Sequence, residues 1–330
     1  MSNVKKDNLI WLLLDDRAGN CSQVLGIGEA LNLKYIKKIF QYNLLSKLPN
    51  IFLQNTIKHI KTNDRKQFRG PWPKVVIGCG RKSAPIGLWI KKQSNNYSKY
   101  IQIMWPSYPS SKIDIIFTPL HDNIKNKNNV IEIQTSPNII NHKLMHESHT
   151  KWKKKFATLD KPKLSIIIGG DTKTHKLSVL HIKRLFKYIC KLSNNKGSIM
   201  ISSSRRTSKE CIKQIKKEIK KLKIKSIFWD INDKTANPYY GFLAHGDLVV
   251  VTGDSVSICS EVCSTGKPLL IYAPKDITQK KHDIFHKLLI KKGIAKYLED
   301  FKIQDLNNFT YKPINEAENI AKIIKNKYLI

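Results

Sequence analysis

The chain has 330 residues, 41% of them hydrophobic, and its 59 lysine and arginine residues against 25 acidic residues give a net charge of +34. That length exceeds one ordinary hydrophobic core and favours two α/β domains. The cations are 52 lysines and seven arginines, whereas phosphate and nucleic-acid sites favour arginine, so charge alone does not indicate a specific nucleic-acid partner.

The cysteines and the apolar runs indicate the compartment. None of the six cysteines forms a CxxC pair or a metal-ligand spacing with histidine, so we expect free thiols in a reducing cytoplasm and no metal. The apolar run of residues 9–14 is too short for a signal peptide, and no run approaches the ~20 residues of a membrane span. We predict a cytoplasmic protein whose basic surface attracts it to the inner face of the cell membrane.

The chain opens with a predicted strand–loop–helix unit. Residues 8–14 form the predicted strand, which is apolar from residue 9 onward. The loop of residues 15–23 then carries Asp15, Asp16 and Arg17, and an amphipathic helix follows at residues 24–31. Within residues 33–70, aromatic and leucine positions recur at helical spacing between Phe40 and Ile60, which favours core packing under the sheet. The lysines interleaved with them leave a membrane-facing surface as the alternative.

Four more strands are predicted in the first half, at residues 74–77, 101–104, 113–117 and 130–133. A loop with Gly80 and Arg81 follows the first of these and is a candidate for ligand contact. His121 and Asp122 follow the third. They are a candidate acid/base pair, and the alternative is a turn histidine with local hydrogen bonds.

Residues 138–160 are polar, rich in histidine and lysine, and show no strand pattern. This predicts a helix and linker between domains at 1–150 and 151–330, with the last helix packing back on the first domain. The second half then alternates strands with helices, and its strands are predicted at residues 164–168, 198–201, 226–229, 248–251 and 269–272.

This alternation predicts two Rossmann-like, doubly wound parallel sheets that face a cleft. Ligands bind such sheets at the carboxyl ends of the strands. In the second domain these ends carry small, polar and arginine residues, which makes them candidate nucleotide contacts: Gly169, Gly170, Ser203, Arg205, Arg206, Gly253, Asp254 and Ser255.

The stretch of residues 237–274 carries the clearest pattern of the chain. A buried strand ends in a turn of small polar residues, and the helix after it ends at Gly266. Free N–H groups and the positive dipole end at such a turn suit a phosphate or diphosphate. Glu261, about two turns along the helix, is placed to reach a pair of ribose hydroxyls. Alternatively, Glu261 is a solvated helix residue and the turn is only a connection.

Several segments resemble one known family. They are WLLLDDRAGNCSQ, WPKVVIGCGRKSAP, IDIIFTPLHD, IIIGGDTKTH, SSRRT and NPYYGFLAHGDLVVVTGDSVSICSEVCSTGKP. They are similar, in the same order over nearly the whole chain, to the mitochondrial-fission family named for a plant mutant with elongated mitochondria. Plant members of that family are implicated in recruiting a dynamin-type fission GTPase to mitochondria, and the resemblance alone does not carry this role over to the present chain.

A more distant resemblance is to two-domain GT-B glycosyltransferases, notably the enzyme that adds N-acetylglucosamine to the lipid-linked peptidoglycan precursor. Their donor signature is similar to a Gly-Gly turn, a Ser/Arg strand end, and a Ser-x-x-x-Glu-x4-Gly-x-Pro run that here comprises Ser257, Glu261, Gly266 and Pro268. The resemblance implies that Glu261 binds the ribose and that Arg205 or Arg206 stabilises the diphosphate leaving group. It also implies that helix dipoles and side chains replace a bound metal.

The first domain departs from that enzyme because the loop after its first strand has no histidine. Asp15 or Asp16 is the candidate general base, and a structural capping role is the alternative. The resemblance places the acceptor beside the loops with Arg17, Gly80 and Arg81.

The leading hypothesis is a metal-independent glycosyltransferase that binds a nucleotide-diphosphate sugar and acts on a lipid-linked or cell-envelope acceptor. The alternative is a non-catalytic adaptor that recruits a protein partner. A nucleotide-sugar epimerase ranks last, since no Rossmann fingerprint with a Tyr-x-x-x-Lys pair follows the first strand.

Overall fold

The computed structural model describes residues 9–107, 111–122, 124, 128–172 and 174–329. The chain divides into two compact units. The first runs to Ile139 and resumes at Asn315, and the second is Ile140–Ile314. The sequence placed its boundary at residue 150. The structure assigns residues 140–150 to the second unit because helix α5 (His142–Phe156) packs against α8 (Tyr239–His245).

The first unit contains a parallel sheet with the strand order β2-β1-β3-β4-β5-β6. Its strands are β1 (Ile10–Leu14), β2 (Tyr35–Ile39), β3 (Val75–Cys79), β4 (Lys99–Ile103), β5 (Ile115–Pro119) and β6 (Val130–Ile133). Its helices are α1 (Ala18–Leu31), α2 (Asn50–Leu53), α3 (Thr62–Arg65), α4 (Ala84–Gln93) and α11 (Glu316–Ile324). The strand order reverses between β1 and β3, so the loops after these two strands flank the switch point of the sheet.

Burial on both faces explains why β1 is a continuous apolar run. Ile10, Leu12 and Leu14 pack into one core layer, to which α11 also contributes. Trp11 and Leu13 pack into the layer on the opposite face. A strand that is covered on both sides has no solvent face and therefore shows no polar alternation. The last helix thus belongs to the first unit, where it packs against α1.

The second unit contains another parallel sheet, with the order β12-β11-β10-β7-β8-β9. Its strands are β7 (Lys163–Ile167), β8 (Ser198–Ser202), β9 (Lys225–Trp229), β10 (Leu248–Thr252), β11 (Leu269–Tyr272) and β12 (Ala295–Tyr297). Besides α5 and α8, its helices are α6 (Val179–Ser193), α7 (Lys209–Ile219), α9 (Val256–Thr265) and α10 (Lys280–Lys291). Renumbered within the unit, this is the Rossmann order 3-2-1-4-5-6, whose switch point lies between β7 and β10.

The predicted fold class is confirmed, since both sheets are parallel and doubly wound. Two edge strands escaped sequence analysis. β2 has the sequence YIKKI, with three exposed side chains, and β12 has only three residues, so neither shows a buried-strand pattern. Before β12, α10 ends at Lys291. All six cysteines are free thiols, as predicted.

Residues 33–70 are also not the helical layer that their spacing predicted. They hold β2, two short α-helices and a 3-10 turn at Leu44–Lys47. Phe40, Tyr42 and Ile60 do enter the core, but Leu44 and Phe52 are exposed. Among the helices of the described residues, none combines the length and the apolar character that a membrane crossing needs.

Candidate functional site

The predicted donor residues lie together at the carboxyl edge of the second sheet. β10, β7 and β8 are adjacent, so the loops after them occupy three successive positions along that edge, about 5 Å apart. Gly169 follows β7, Arg205 follows β8 and Ser255 follows β10. The loops meet at the switch point of the sheet, where open α/β sheets bind ligands.

A network centred on Asp254 ties these three loops together. Its carboxylate is 5% exposed and accepts hydrogen bonds from the Gly170 N–H at 3.1 Å and the Thr252 hydroxyl at 2.6 Å. The Arg206 guanidinium forms an ion pair with it at 2.6 Å. The Gly169 N–H donates to the Thr252 hydroxyl at 2.8 Å. These groups satisfy one another and leave little for a ligand.

The two glycines allow the loops to approach this closely. A Cβ on Gly169 would lie 2.2 Å from a carboxylate oxygen of Asp254, and one on Gly170 would lie 2.0 Å from the carbonyl oxygen of Arg206. Both distances are far inside van der Waals contact. Both positions of the Gly-Gly turn therefore require glycine for the loops to pack.

Replacing Gly170 by alanine tests this role. Because the contact is with a backbone carbonyl, the Arg206 loop must shift, and we expect Gly170→Ala to lower the free energy of unfolding by about 2 kcal/mol. Urea titration of both proteins measures this. Gly70→Ala is the control, since its Cβ would find its nearest atom 3.7 Å away. Equal stability of the Gly170 variant and the wild type would contradict the packing role.

Ser203 and Gly253 also form hydrogen bonds within the protein, as the residues around Asp254 do. The Ser203 hydroxyl accepts from the Ile231 N–H at 2.9 Å and donates to Asp230, and the Gly253 N–H donates to the Tyr272 carbonyl oxygen. Together with Gly169, Gly170, Arg206 and Asp254, they form the internal frame of the edge. The sequence pattern located this frame but did not distinguish it from groups that remain open.

Four predicted residues remain open. The hydroxyl of Ser255 caps α9 by accepting from the Ile258 N–H, which leaves the first N–H groups of the helix without intrahelical partners. Within the described residues, neither the Ser257 hydroxyl nor the exposed Arg205 guanidinium has a hydrogen-bond partner. Because Arg206 neutralises Asp254, Arg205 and the helix dipole supply the net positive charge here.

Glu261 is the fourth open residue, four positions after Ser257 and so on the same face of α9. One oxygen of its partly buried carboxyl accepts a hydrogen bond from the Tyr239 hydroxyl of α8. Burial raises the pKa of Glu261 to about 7, while that hydrogen bond acts in the opposite direction. Sequence analysis missed Tyr239, although it lies in the stretch NPYYG that carried the family resemblance.

In the first unit, the loop after β1 separates two aspartates by environment. Asp15 is buried, and its two oxygens accept from the Arg17 N–H at 3.0 Å and the Asn20 amide at 2.9 Å. Burial raises the pKa of Asp15. Asp16 and the Arg17 side chain are exposed and, in the described part of the chain, unpaired. Asp15 thus holds the loop together from within but does not cap α1, whose N-cap is Arg17 without a side-chain hydrogen bond. Asp16 is the accessible carboxylate.

The other predicted residues of this unit have mainly internal contacts. Gly80 has φ +79°, and its carbonyl accepts from Ser83 and Gln102. Arg81 donates to the carbonyl oxygens of Ser46 and Leu48. His121 is buried, with Nε2 3.9 Å from Asp122, and it follows β5, three strand positions and about 14 Å from β1. The structure therefore does not bring His121 beside Asp15 or Asp16.

Across the described ranges, no group of three or more His, Cys, Asp and Glu residues is placed to hold a metal ion.

Comparison with known proteins decides the family. The model of the mitochondrial fission ELM1 family matches residues 18–328. The chain belongs to the mitochondrial fission ELM1 family. It is 32% identical to protein RP120 of Rickettsia prowazekii over 96% of this chain and 97% of that protein. It is 27% identical to the mitochondrial fission protein ELM1 of Arabidopsis thaliana over 83% of this chain and 68% of that protein.

The fold of this ELM1-family chain is shared with GT-B proteins. MurG of Acinetobacter baumannii superposes with a TM-score of 0.57 at 13% identity, covering 97% of this chain and 99% of MurG. The UDP-GlcNAc 2-epimerase of Methanocaldococcus jannaschii gives a TM-score of 0.58 at 14% identity, covering 96% and 99%. The second match shows that this fold is shared by a 2-epimerase as well as by a glycosyltransferase-type protein.

Proposed function

We propose that the second unit binds a nucleotide-diphosphate sugar and that the protein is a glycosyltransferase. One observation carries this proposal. At the switch point of a Rossmann sheet, Ser257 and Glu261 lie on one face of a helix whose first N–H groups have no intrahelical partners. Arg205, two strand positions away along the same edge, has no hydrogen-bond partner within the described residues. As supporting evidence, the M. jannaschii epimerase, with a TM-score of 0.52 in this state, was solved in complex with UDP-GlcNAc and UDP.

Each open group has a part that suits its chemistry. The N–H groups at the start of α9 and the Arg205 guanidinium would bind the diphosphate, since both favour anions. The Glu261 oxygen that Tyr239 leaves free would accept from a ribose hydroxyl. Tyr239 would hold the carboxyl in place while the nucleotide binds.

The proposed transfer needs a base for the acceptor hydroxyl and a cation for the leaving diphosphate. An acceptor hydroxyl attacks the anomeric carbon, the bond from that carbon to the diphosphate oxygen breaks, and the acceptor proton passes to a carboxylate. We assign that base to Asp16, because both oxygens of Asp15 already accept hydrogen bonds. Negative charge builds up on the departing diphosphate, where Arg205 and the α9 dipole stabilise it. The proposed acceptor is lipid-linked or part of the cell envelope, and it brings the protein to a membrane surface.

The second candidate is a non-catalytic adaptor that recruits a protein partner. Two observations favour it: membership of a family described by mitochondrial fission, and the structural engagement of Asp15 in a loop without histidine. An adaptor has no need for a cation, helix N–H groups and a carboxyl that are available to a ligand. The availability of Arg205, the start of α9 and Glu261 therefore favours the transferase.

Calorimetric titration with UDP, GDP and their sugar conjugates at moderate salt tests the proposal. We expect saturable binding of one nucleotide class, lost in Glu261→Ala and retained in the control Glu299→Ala, whose carboxylate is exposed. A chain of charge +34 attracts any polyanion, so salt-sensitive binding that ignores the Glu261 substitution would reject the donor site and favour the adaptor.

A further inference from the structure

The segment between Asn43 and Ile60 inverts the usual burial pattern. Its small polar residues Ser46 and Asn50 are 3% exposed, whereas Leu44 and Phe52 are 78% and 73% exposed. Eleven large apolar side chains are exposed in the described part of the chain, and five of them lie within residues 44–52. We call these five the apolar tip: Leu44, Leu45, Leu48, Ile51 and Phe52. A cluster of exposed apolar residues this dense marks an interaction surface.

Hydrogen bonds hold the apolar tip in this orientation. At its base, the Asn43 amide donates to the carbonyl oxygens of Lys58 and Ile60. Arg81 donates to the carbonyl oxygens of Ser46 and Leu48 at 2.9 and 2.7 Å. The Asn50 amide donates to the carbonyl oxygens of Arg81 and Pro106. One of only seven arginines therefore serves to keep the polar side of this segment inward and its apolar side outward.

The charge around the apolar tip indicates its partner. No acidic residue lies between Glu29 and Asp64, whereas six lysines do. Five of these lysines are exposed, including Lys47 within the tip itself, and Lys38 is buried. Protein interfaces are depleted of lysine, while apolar side chains among lysines suit the surface of an anionic bilayer. A second copy of the chain fits less well, because a symmetric contact would bring these lysines against themselves.

We propose that the apolar tip inserts into the surface of an anionic lipid membrane, with the surrounding lysines bound to lipid headgroups. The tip is fastened to the loops after β3 and β4, so docking places the carboxyl edge of the first sheet at the membrane. The inference does not depend on sugar transfer, since an adaptor would use the same surface.

Flotation of the full chain with vesicles tests the surface. We expect binding to vesicles of phosphatidylcholine with phosphatidylglycerol and little to phosphatidylcholine alone. The double variant Leu44→Ser/Phe52→Ser should lose about tenfold or more in vesicle affinity, because two interfacial apolar side chains are removed. The matched control is Leu180→Ser/Ile284→Ser, which removes two exposed apolar side chains of the second unit and should bind as the wild type does.

A second measurement reports insertion directly. Tryptophan fluorescence of Phe52→Trp should be quenched by brominated lipid beyond the wild-type level, and that of Leu180→Trp should not. The proposal is overturned if the wild type ignores anionic vesicles, or if the Leu44/Phe52 variant binds them like the wild type. It is also overturned if sedimentation shows a dimer that this variant dissociates. UDP titration of the same variants measures nucleotide binding separately from vesicle binding. Failure of the membrane proposal can therefore be distinguished from failure of the proposed function.

Discussion

Glu261→Gln should raise the free energy of unfolding at pH 8 and lower the affinity for the nucleotide. The pKa of Glu261 is raised by burial to about 7 from 4.5. The folded state therefore binds a proton more tightly than the unfolded state. This contribution to stability is complete below about pH 4.5 and is lost as the pH rises through about 7. Glutamine keeps an acceptor for Tyr239 and carries no charge, so the variant should be more stable by about 2 kcal/mol at pH 8.

Urea titrations at pH 5 and pH 8 measure this difference. At pH 5, just above the unfolded pKa of 4.5, the difference should shrink to less than about 1 kcal/mol, and comparing wild type with variant cancels the titration of the histidines. Glu299→Gln serves as the control, since its carboxylate is exposed and should show no such dependence. UDP affinity of the wild type should rise as the pH passes 7 and fall about tenfold or more in the variant. Equal stability of wild type and Glu261→Gln at pH 8 would show that the carboxyl is not held in a desolvated site.

The sequence predicted strands best where both faces of the strand are buried, because most residues of such a strand are apolar. β7, β8 and β10 are covered on both faces, so they read as apolar runs that end in polar turns, and their ends locate the switch point. β2 and β12 lie at sheet edges, where one side of the strand meets solvent. Lysines are tolerated there, and the apolar run disappears.

Within the site, the sequence could not predict which side chains pair with each other. Arg205 and Arg206 are neighbours of the same type after the same strand, and only the fold shows that Asp254 lies across the edge from Arg206. Leucine and phenylalanine recur in residues 44–52 as they would in a buried helix. Whether they face the core depends on the hydrogen bonds among Ser46, Asn50 and Arg81, which join segments that are far apart in the sequence. Periodicity reports that a face is apolar and does not report what covers it.

The two arginines should therefore separate in their effects. We expect Arg205→Met to lower the rate of sugar transfer by about 10²–10³-fold, because it removes a cation that stabilises the leaving diphosphate. Its free energy of unfolding should match the wild type, since Arg205 has no partner within the described residues. Arg206→Met should instead lower the free energy of unfolding by about 2–3 kcal/mol, because it leaves the Asp254 carboxylate buried without its counter-charge.

Chemical unfolding and UDP titration of both variants measure this separation. A third protein, Arg206→Met/Asp254→Asn, supplies the internal control. With the buried charge removed, it should recover much of the lost stability, since asparagine can still accept from the Gly170 N–H or the Thr252 hydroxyl. If Arg206→Met were as stable as the wild type and lost nucleotide binding, Arg206 would be the diphosphate ligand. In that case Arg206 would have to serve two anions, the buried Asp254 carboxylate and the diphosphate. The diphosphate, being an anion itself, could not neutralise Asp254. The ion pair thus makes the choice between the arginines an electrostatic one: the cation that already has a buried partner supports the loop, and the cation without one is available to the substrate.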